Sequence, residues 1–213
     1  MSPDLLSGLA RAPSAIAPDA TLLPGFAAPG TDLLKQLESI LAVAPFRHML
    51  TPGGHRMSVA MTSAGALGWV ADRRGYRYDP CDPETGRPWP ALPASFAGLA
   101  QHAAEAAGFP GFTPDSCLIN RYAPGAQLAL HQDRNERDFD QPIVSVSLGL
   151  TATFLFGGLT RAARPSRIRL EHGDIVVWGG AARLAFHGIA PLPAGFHPLT
   201  GSCRINLTFR RAG

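Results

Sequence analysis

Lysine is nearly missing from this chain. Lys35 stands alone, and the other 18 of the 19 basic residues (19 − 1) are arginine. Against 16 acidic residues the formal net charge is +3, with a sequence pI of 9.1. That balance permits a polyanionic partner without demanding one. Cysteine is scarce too. Cys81, Cys117 and Cys203 lie far apart and form no C-x-x-C pair, which argues against a disulfide framework or a thiolate zinc site and fits a reducing compartment. No apolar run approaches the length of a membrane span. The N-terminus carries Asp4 early and lacks a compact apolar stretch, so no secretory signal is expected. The expectation is a soluble, cytoplasmic monomer with no membrane partner. Repeats are absent. With 46% hydrophobic and 16% charged residues over 213 positions, the chain suits one globular domain with a sizeable core.

Residues 1–30 are rich in Ala and Pro and predict an irregular N-terminal arm. The domain proper is expected over 31–213. Thr31 and Asp32 are N-cap types. Leu33, Leu34, Leu37, Ile40 and Leu41 follow at helical spacing until Pro45. A second helix fits between Pro93 and Gly108. Between the helices, Met57 to Met61 can be a strand. Beyond it a Gly-punctuated stretch interleaves Trp69, Tyr76 and Tyr78 with Arg73, Arg74 and Arg77, which reads as a contact surface rather than a core.

From Ser116 onward the pattern is β. Short runs fall at 116–122, 127–131, 143–149, 152–156, 167–171, 174–178, 184–189 and 203–210. Glu171-His172-Gly173-Asp174 reads as a hairpin turn between two of them. Two helices followed by about eight short strands predict a mainly β fold with flanking helices, a jelly-roll or double-stranded β-helix.

On the last run Arg204, Asn206, Thr208 and Arg210 share one face, and Ile205, Leu207 and Phe209 the other. The polar face either meets solvent or lines a cavity while the apolar face packs on helices. His131 and Asp133 are two apart and point the same way on an extended segment. An imidazole and a carboxylate are two-thirds of the facial triad used by non-haem iron(II). His187, in a β-like run before Gly188, is the candidate for the third ligand. Arg204 follows 17 residues later (204 − 187), and its guanidinium fork matches a carboxylate. The order H-x-D, His, Arg therefore reads as a metal with a small organic dianion. His48, His55, His102, His172 and His197 read as surface or structural histidines.

The runs TPGGHRMSVAMTSAGALGW, NRYAPGA, HQD, PIVSVSLGL, FGGL, HGDIVVWGG and GFHPLTGSCRINLTFR resemble the bacterial AlkB family of nucleic-acid dealkylases. The resemblance covers nearly all of the chain from about residue 45, and R-x-N-x-T-x-R at 204–210 is its most specific piece. It implies that His131, Asp133 and His187 hold Fe(II), with 2-oxoglutarate and O2 as co-substrates. It places Asn120, Tyr122, Arg204, Asn206 and Arg210 around 2-oxoglutarate. It makes 45–90 a nucleotide-recognition lid in which Trp69 and Tyr76 meet the base, and it adds Asn135 and Arg161 as substrate contacts. The implied activity is oxidative removal of alkyl groups from bases such as 1-methyladenine and 3-methylcytosine. The implied partner is alkylated single-stranded DNA, with RNA or double-stranded DNA as alternatives.

Two positions depart from the family pattern. Asn135 stands where Asp is common, and His55 where Tyr is expected. The neighbouring Glu136 can replace the missing acid only if the backbone turns it inward. Rival readings are an oxygenase acting on protein or a metabolite, a non-catalytic binder of damaged nucleic acid, and a cupin-like metabolite binder.

Overall fold

A computed structural model describes residues 11–213. Its elements in chain order are β1 (Ser14–Ala17), β2 (Ala20–Leu23), α1 (Thr31–Val43), β3 (Ala60–Gly65), β4 (Gly68–Asp72) and β5 (Gly75–Asp79). They continue with α2 (Ala94–Ala106), β6 (Ser116–Tyr122), β7 (Leu128–His131), β8 (Ile143–Gly149) and β9 (Ala152–Phe156). The last are β10 (Ser166–Leu170), β11 (Ile175–Trp178), β12 (His187–Ile189) and β13 (Arg204–Arg210). A seven-stranded sheet has the order β1-β2-β11-β8-β13-β6-β3, and a four-stranded sheet the order β10-β9-β12-β7. Strands β4 and β5 form a separate hairpin. This is the expected jelly-roll.

Two apolar layers hold it together. One fills the space between the sheets and contains Met61, Tyr122, Phe154, Phe156 and Trp178. The other lies between the large sheet and the helices, where Ile205, Leu207 and Phe209 meet Phe96, Ala100 and Leu37. Phe96 and Phe209 pack edge to face, with centroids 6.0 Å apart. Strand β13 is buried along its whole length. Its apolar face packs under the helices, and its polar face therefore points between the sheets. The cavity alternative for Arg204, Asn206, Thr208 and Arg210 is the one realised.

The structure differs from expectation in several places, among them β3, which runs over Ala60–Gly65 rather than Met57 to Met61, and β12, which is strand only over His187–Ile189 of the run 184–189. The arm over 1–30 is not wholly irregular: Ser14–Ala17 and Ala20–Leu23 form a hairpin that pairs with β11, while residues 1–10 lie outside the described part. Backbone bonds make this pairing, so side-chain periodicity did not announce it. Arg11 fixes the entry by bonding Asp174, Nη2 to Oδ1 at 2.6 Å. Helix α1 is capped by Gly30 at φ 71 rather than by a side chain of Thr31 or Asp32. There is no room for more, since a Cβ on Gly30 would come within 2.8 Å of Leu148. The 171–174 turn does not close a hairpin: β10 pairs with β9 and β11 with β8 and β2, so the turn carries the chain from one sheet to the other. Finally, β3 lies inside the 45–90 segment yet pairs with β6 in the large sheet. Within that segment the β4–β5 hairpin pairs with neither sheet, though β4 packs against β3 and β6.

Candidate active site

A cavity of about 610 Å³ opens between the sheets. All twelve residues singled out in the sequence line it: Trp69, Tyr76, Asn120, Tyr122, His131, Asp133, Asn135, Arg161, His187, Arg204, Asn206 and Arg210. Strand pairing brings them together. His131 ends β7 and lies opposite His187 on β12, with ring centroids 4.4 Å apart. Gly188 permits this approach, because a Cβ there would meet the Leu128 carbonyl at 2.5 Å.

One ligand atom from each of His131, Asp133 and His187 lies within 4.8 Å of the others. His131 Nε2 is 3.7 Å from Asp133 Oδ1, and His187 Nε2 is 3.8 Å from Asp133 Oδ2. Each imidazole spends Nδ1 on a backbone carbonyl, that of Ala129 at 2.9 Å for His131 and of Ala185 at 3.0 Å for His187. A carbonyl only accepts, so Nδ1 carries the proton. Each Nε2 is left with its lone pair facing the site, the tautomer a metal requires. Burial, reinforced by His131, lowers the His187 pKa to about 3, so the ring stays neutral. Burial alone would raise the Asp133 carboxyl, but the charge of Arg210 and its hydrogen bond outweigh that and hold it ionised. Two imidazoles and one carboxylate form the donor set suited to iron(II).

The opposite wall is made by β6 and β13, where Arg204 pairs with Tyr122 and Asn206 with Asn120. Arg204 is 1% exposed, lies over the Tyr122 ring at 5.1 Å and donates from Nη2 to Ser147 Oγ at 2.8 Å. Its Nε and Nη1 are buried without a partner. Unpaired buried donors are costly, and burial lowers the Arg204 pKa. The N–H groups of Nε and Nη1 are left for an anion, and a carboxylate is the natural partner of a buried guanidinium. Asn206 is different. Its Nδ2 donates to Ser145 Oγ and the Val146 carbonyl, and its Oδ1 accepts from Asn120 Nδ2 and Thr208 Oγ1. Every polar position of that amide is taken, so Asn206 has nothing left for a ligand and instead orients Asn120.

Arg210 binds Asp133 Oδ2 through Nη2 at 2.6 Å and Nε at 2.8 Å. Glu136 is buried between arginines, with Oε2 3.3 Å from Arg183 Nη2 and Oε1 3.4 Å from Arg210 Nε. It also accepts the Tyr78 hydroxyl at 2.6 Å. It faces away from the opening and does not substitute for an acid at position 135. Asn135 is exposed and donates to the Tyr76 carbonyl at 3.3 Å.

At the mouth, Trp69 and Tyr76 stack with centroids 5.6 Å apart and planes 15° apart. Arg161 sits over the Phe186 ring at 5.1 Å. The hairpin arginines are less available than the sequence suggests: Asp72 pairs with Arg77 at 3.0 Å and Arg74 at 3.2 Å.

Three contributors were missed in the sequence. Ser145 and Ser147 support Asn206 and Arg204; their period-2 recurrence in the otherwise apolar run 143–149 was the available signal. Arg183 donates from Nε to the Gln141 carbonyl at 3.0 Å and from Nη1 to the Asp133 carbonyl at 3.2 Å. No local pattern marks it, because its partners are remote in sequence. Trp178 packs beside the ligands, with its ring centroid 4.9 Å from that of His187. Among the described residues no helix is long and apolar enough to cross a membrane.

The profile of the 2OG-Fe(II) oxygenase superfamily matches residues 19–210. The alpha-ketoglutarate-dependent dioxygenase AlkB of Escherichia coli is 62% identical over 85% of this chain and 84% of that protein. The AlkB of Salmonella typhimurium is 58% identical over 98% and 97%. The solved structure of OsALKBH1 superposes with a TM-score of 0.83 at 28% identity, covering 93% of this chain and 99% of that one. Similarity of this extent, on a cavity whose donor set and free arginine fork suit iron(II) and a keto-diacid, places the chain in the AlkB family of Fe(II)- and 2-oxoglutarate-dependent dioxygenases.

Proposed function

We infer that this chain oxidatively dealkylates N-alkylated bases in nucleic acid, with single-stranded DNA bearing 1-methyladenine- or 3-methylcytosine-type lesions as its main substrate. The observation that carries the reading is the pairing of a two-histidine, one-carboxylate set with a buried arginine whose Nε and Nη1 lack partners, in one cavity. When bound, iron(II) with 2-oxoglutarate and O2 supplies the oxidation: the keto acid loses carbon dioxide to give succinate, and the other oxygen atom enters a C–H bond of the alkyl group, whose hydroxyalkyl product falls apart to an aldehyde and the bare base.

The residues divide the remaining work. His131, Asp133 and His187 hold the metal, and Arg210 keeps Asp133 ionised and fixed in direction. Arg204, backed by Tyr122 and Ser147, receives the far carboxylate of 2-oxoglutarate. Asn120, oriented by Asn206, completes that wall. The β4–β5 hairpin acts as the lid. The base must leave its stack to reach the site; Trp69 and Tyr76 hold one of its faces and His131 lies on the other, while Asn135 meets its edge and Arg161 the backbone. Single strands avoid the cost of unpairing, which supports the strand preference. Cys81, Cys117 and Cys203 are all unpaired, which supports the reducing cytoplasm.

The test is formaldehyde release from a single-stranded oligonucleotide carrying 3-methylcytosine, with iron(II), 2-oxoglutarate and air, beside His131→Ala. Release that needs all three additions and vanishes in the variant is expected. Succinate formed without formaldehyde would transfer the chemistry to another substrate class. Failure to bind iron(II) would overturn the reading.

A further inference from the structure

Two buried polar groups that no step above uses, Tyr78 and Glu136, tie the lid to Arg210 and the metal-ligand loop. Tyr78 lies on β5, opposite Trp69 on β4. Its hydroxyl donates to Glu136 Oε1 at 2.6 Å, and burial pushes it well above the ordinary value, so it remains a donor. The same Oε1 lies 3.4 Å from Arg210 Nε, and Arg210 grips Asp133 Oδ2 from two nitrogens. Arg183, 3% exposed, backs the loop from below by facing Glu136 Oε2 and holding the Asp133 carbonyl. Shifting the lid strand therefore removes one of the donors on Glu136. In a buried cluster that change falls on the remaining partner, Arg210, and through it on the carboxylate that faces both imidazoles.

We propose that Tyr78 is a positioning residue that couples closure of the lid over a nucleotide to the orientation of Asp133, through Glu136 and Arg210. The proposal rests on the dealkylase reading. Coupling between two sites is reciprocal: if the lid sets the metal ligand, then iron(II) with 2-oxoglutarate must tighten the oligonucleotide, and the oligonucleotide must alter the metal complex. Asn135 is a second clasp on the same lid strand, through the Tyr76 carbonyl, but it has no bond to Arg210 or Glu136 among the described contacts. It separates holding the lid from coupling it.

The experiment uses the full chain without oxygen, iron(II), 2-oxoglutarate and a single-stranded 3-methylcytosine oligonucleotide. Oligonucleotide affinity is measured with and without 2-oxoglutarate, and the visible charge-transfer absorption of the iron(II)–2-oxoglutarate complex is followed as oligonucleotide is added. Wild type should show a coupling factor of about fivefold or more and a spectral change. Tyr78→Phe should bring the factor below about twofold and abolish the spectral change, with each ligand's separate affinity nearly kept. Asn135→Ala should weaken the oligonucleotide and keep the factor. Glu136→Gln, which preserves volume and an acceptor for Tyr78 but removes the charge before Arg210, should lose the factor as Tyr78→Phe does. A wild-type factor that survives in both Tyr78→Phe and Glu136→Gln overturns the proposal. So does a wild type without coupling, or a Tyr78→Phe that merely weakens both ligands in proportion. The dealkylase reading fails by a different result: no formaldehyde from wild type in air.

Discussion

Arg204 and Arg210 sit on the same face of one strand, both buried, at opposite ends of one cavity. Their surroundings are nearly inverse. Arg210 faces Asp133 and Glu136, and those carboxylates more than offset burial, so its pKa is raised. Arg204 faces an aromatic ring and a serine, and burial lowers its pKa. Arg210 neutralises carboxylates of the protein through Nε and Nη2, with Nη1 left unpartnered. Arg204 has no carboxylate beside it, and an anion from outside would complete it. Burial of a charge therefore has two meanings, and only its partners distinguish them.

Removing each arginine should separate the two meanings. Arg210→Met leaves two buried carboxylates without their main counter-charge, a defect of about 3–5 kcal/mol, read as a lower urea midpoint with unchanged slope. Arg204→Met removes a fork whose N–H groups are unsatisfied without ligand, and stability should hold or rise. Its cost should instead appear in 2-oxoglutarate, at about 2–5 kcal/mol, or roughly 30- to several-thousand-fold in affinity. Oligonucleotide binding without 2-oxoglutarate should barely change. If both variants lost stability equally, the contrast between the two ends would be wrong.

A smaller effect sharpens the comparison from the mouth of the cavity. Trp69→Ala removes a stacking platform worth about 1–3 kcal/mol per base. Oligonucleotide affinity should fall roughly 5- to 150-fold, with 2-oxoglutarate affinity kept, as measured by fluorescence anisotropy and by succinate formation. Equal losses on both ligands would erase the division between base and co-substrate.

Where function follows from local spacing, the sequence was readable. Period 2 on 204–210 put four polar side chains on one face, and β13 turns that face into the cavity. Strands over 116–122, 143–149 and 152–156 fall where their alternation or apolar runs placed them. What was hidden depends on partners remote in the chain. The β1–β2 hairpin is specified by backbone pairing with β11. The 171–174 turn has hairpin chemistry yet links two sheets, because turn residues do not say which neighbour a strand will choose. Asn206 has the right position for a ligand contact, but Ser145, Val146, Thr208 and Asn120 occupy its whole amide. Glu136 is next to Asn135 in sequence and on the other side of the loop in space.

That last separation gives position 135 its own test. Asn135 is exposed at the cavity mouth, and its amide nitrogen holds the Tyr76 carbonyl. A carboxylate cannot make that bond, since both groups only accept, so Asn135→Asp should release the lid strand and turn toward the opening. With Glu136 held by Arg183, Arg210 and Tyr78, the new charge would be the nearest free acid to a base in the slot. A cationic base such as 3-methylcytosine would gain about 1 kcal/mol at this exposed site, and a neutral adduct such as 1-methylguanine would gain nothing. Competition between the two lesions should then shift about fivefold toward the cationic one, while the loss of the Tyr76 bond weakens both alike. An unchanged ratio would mean that the edge of the base is read elsewhere, and that the amide at 135 serves only to clasp the lid.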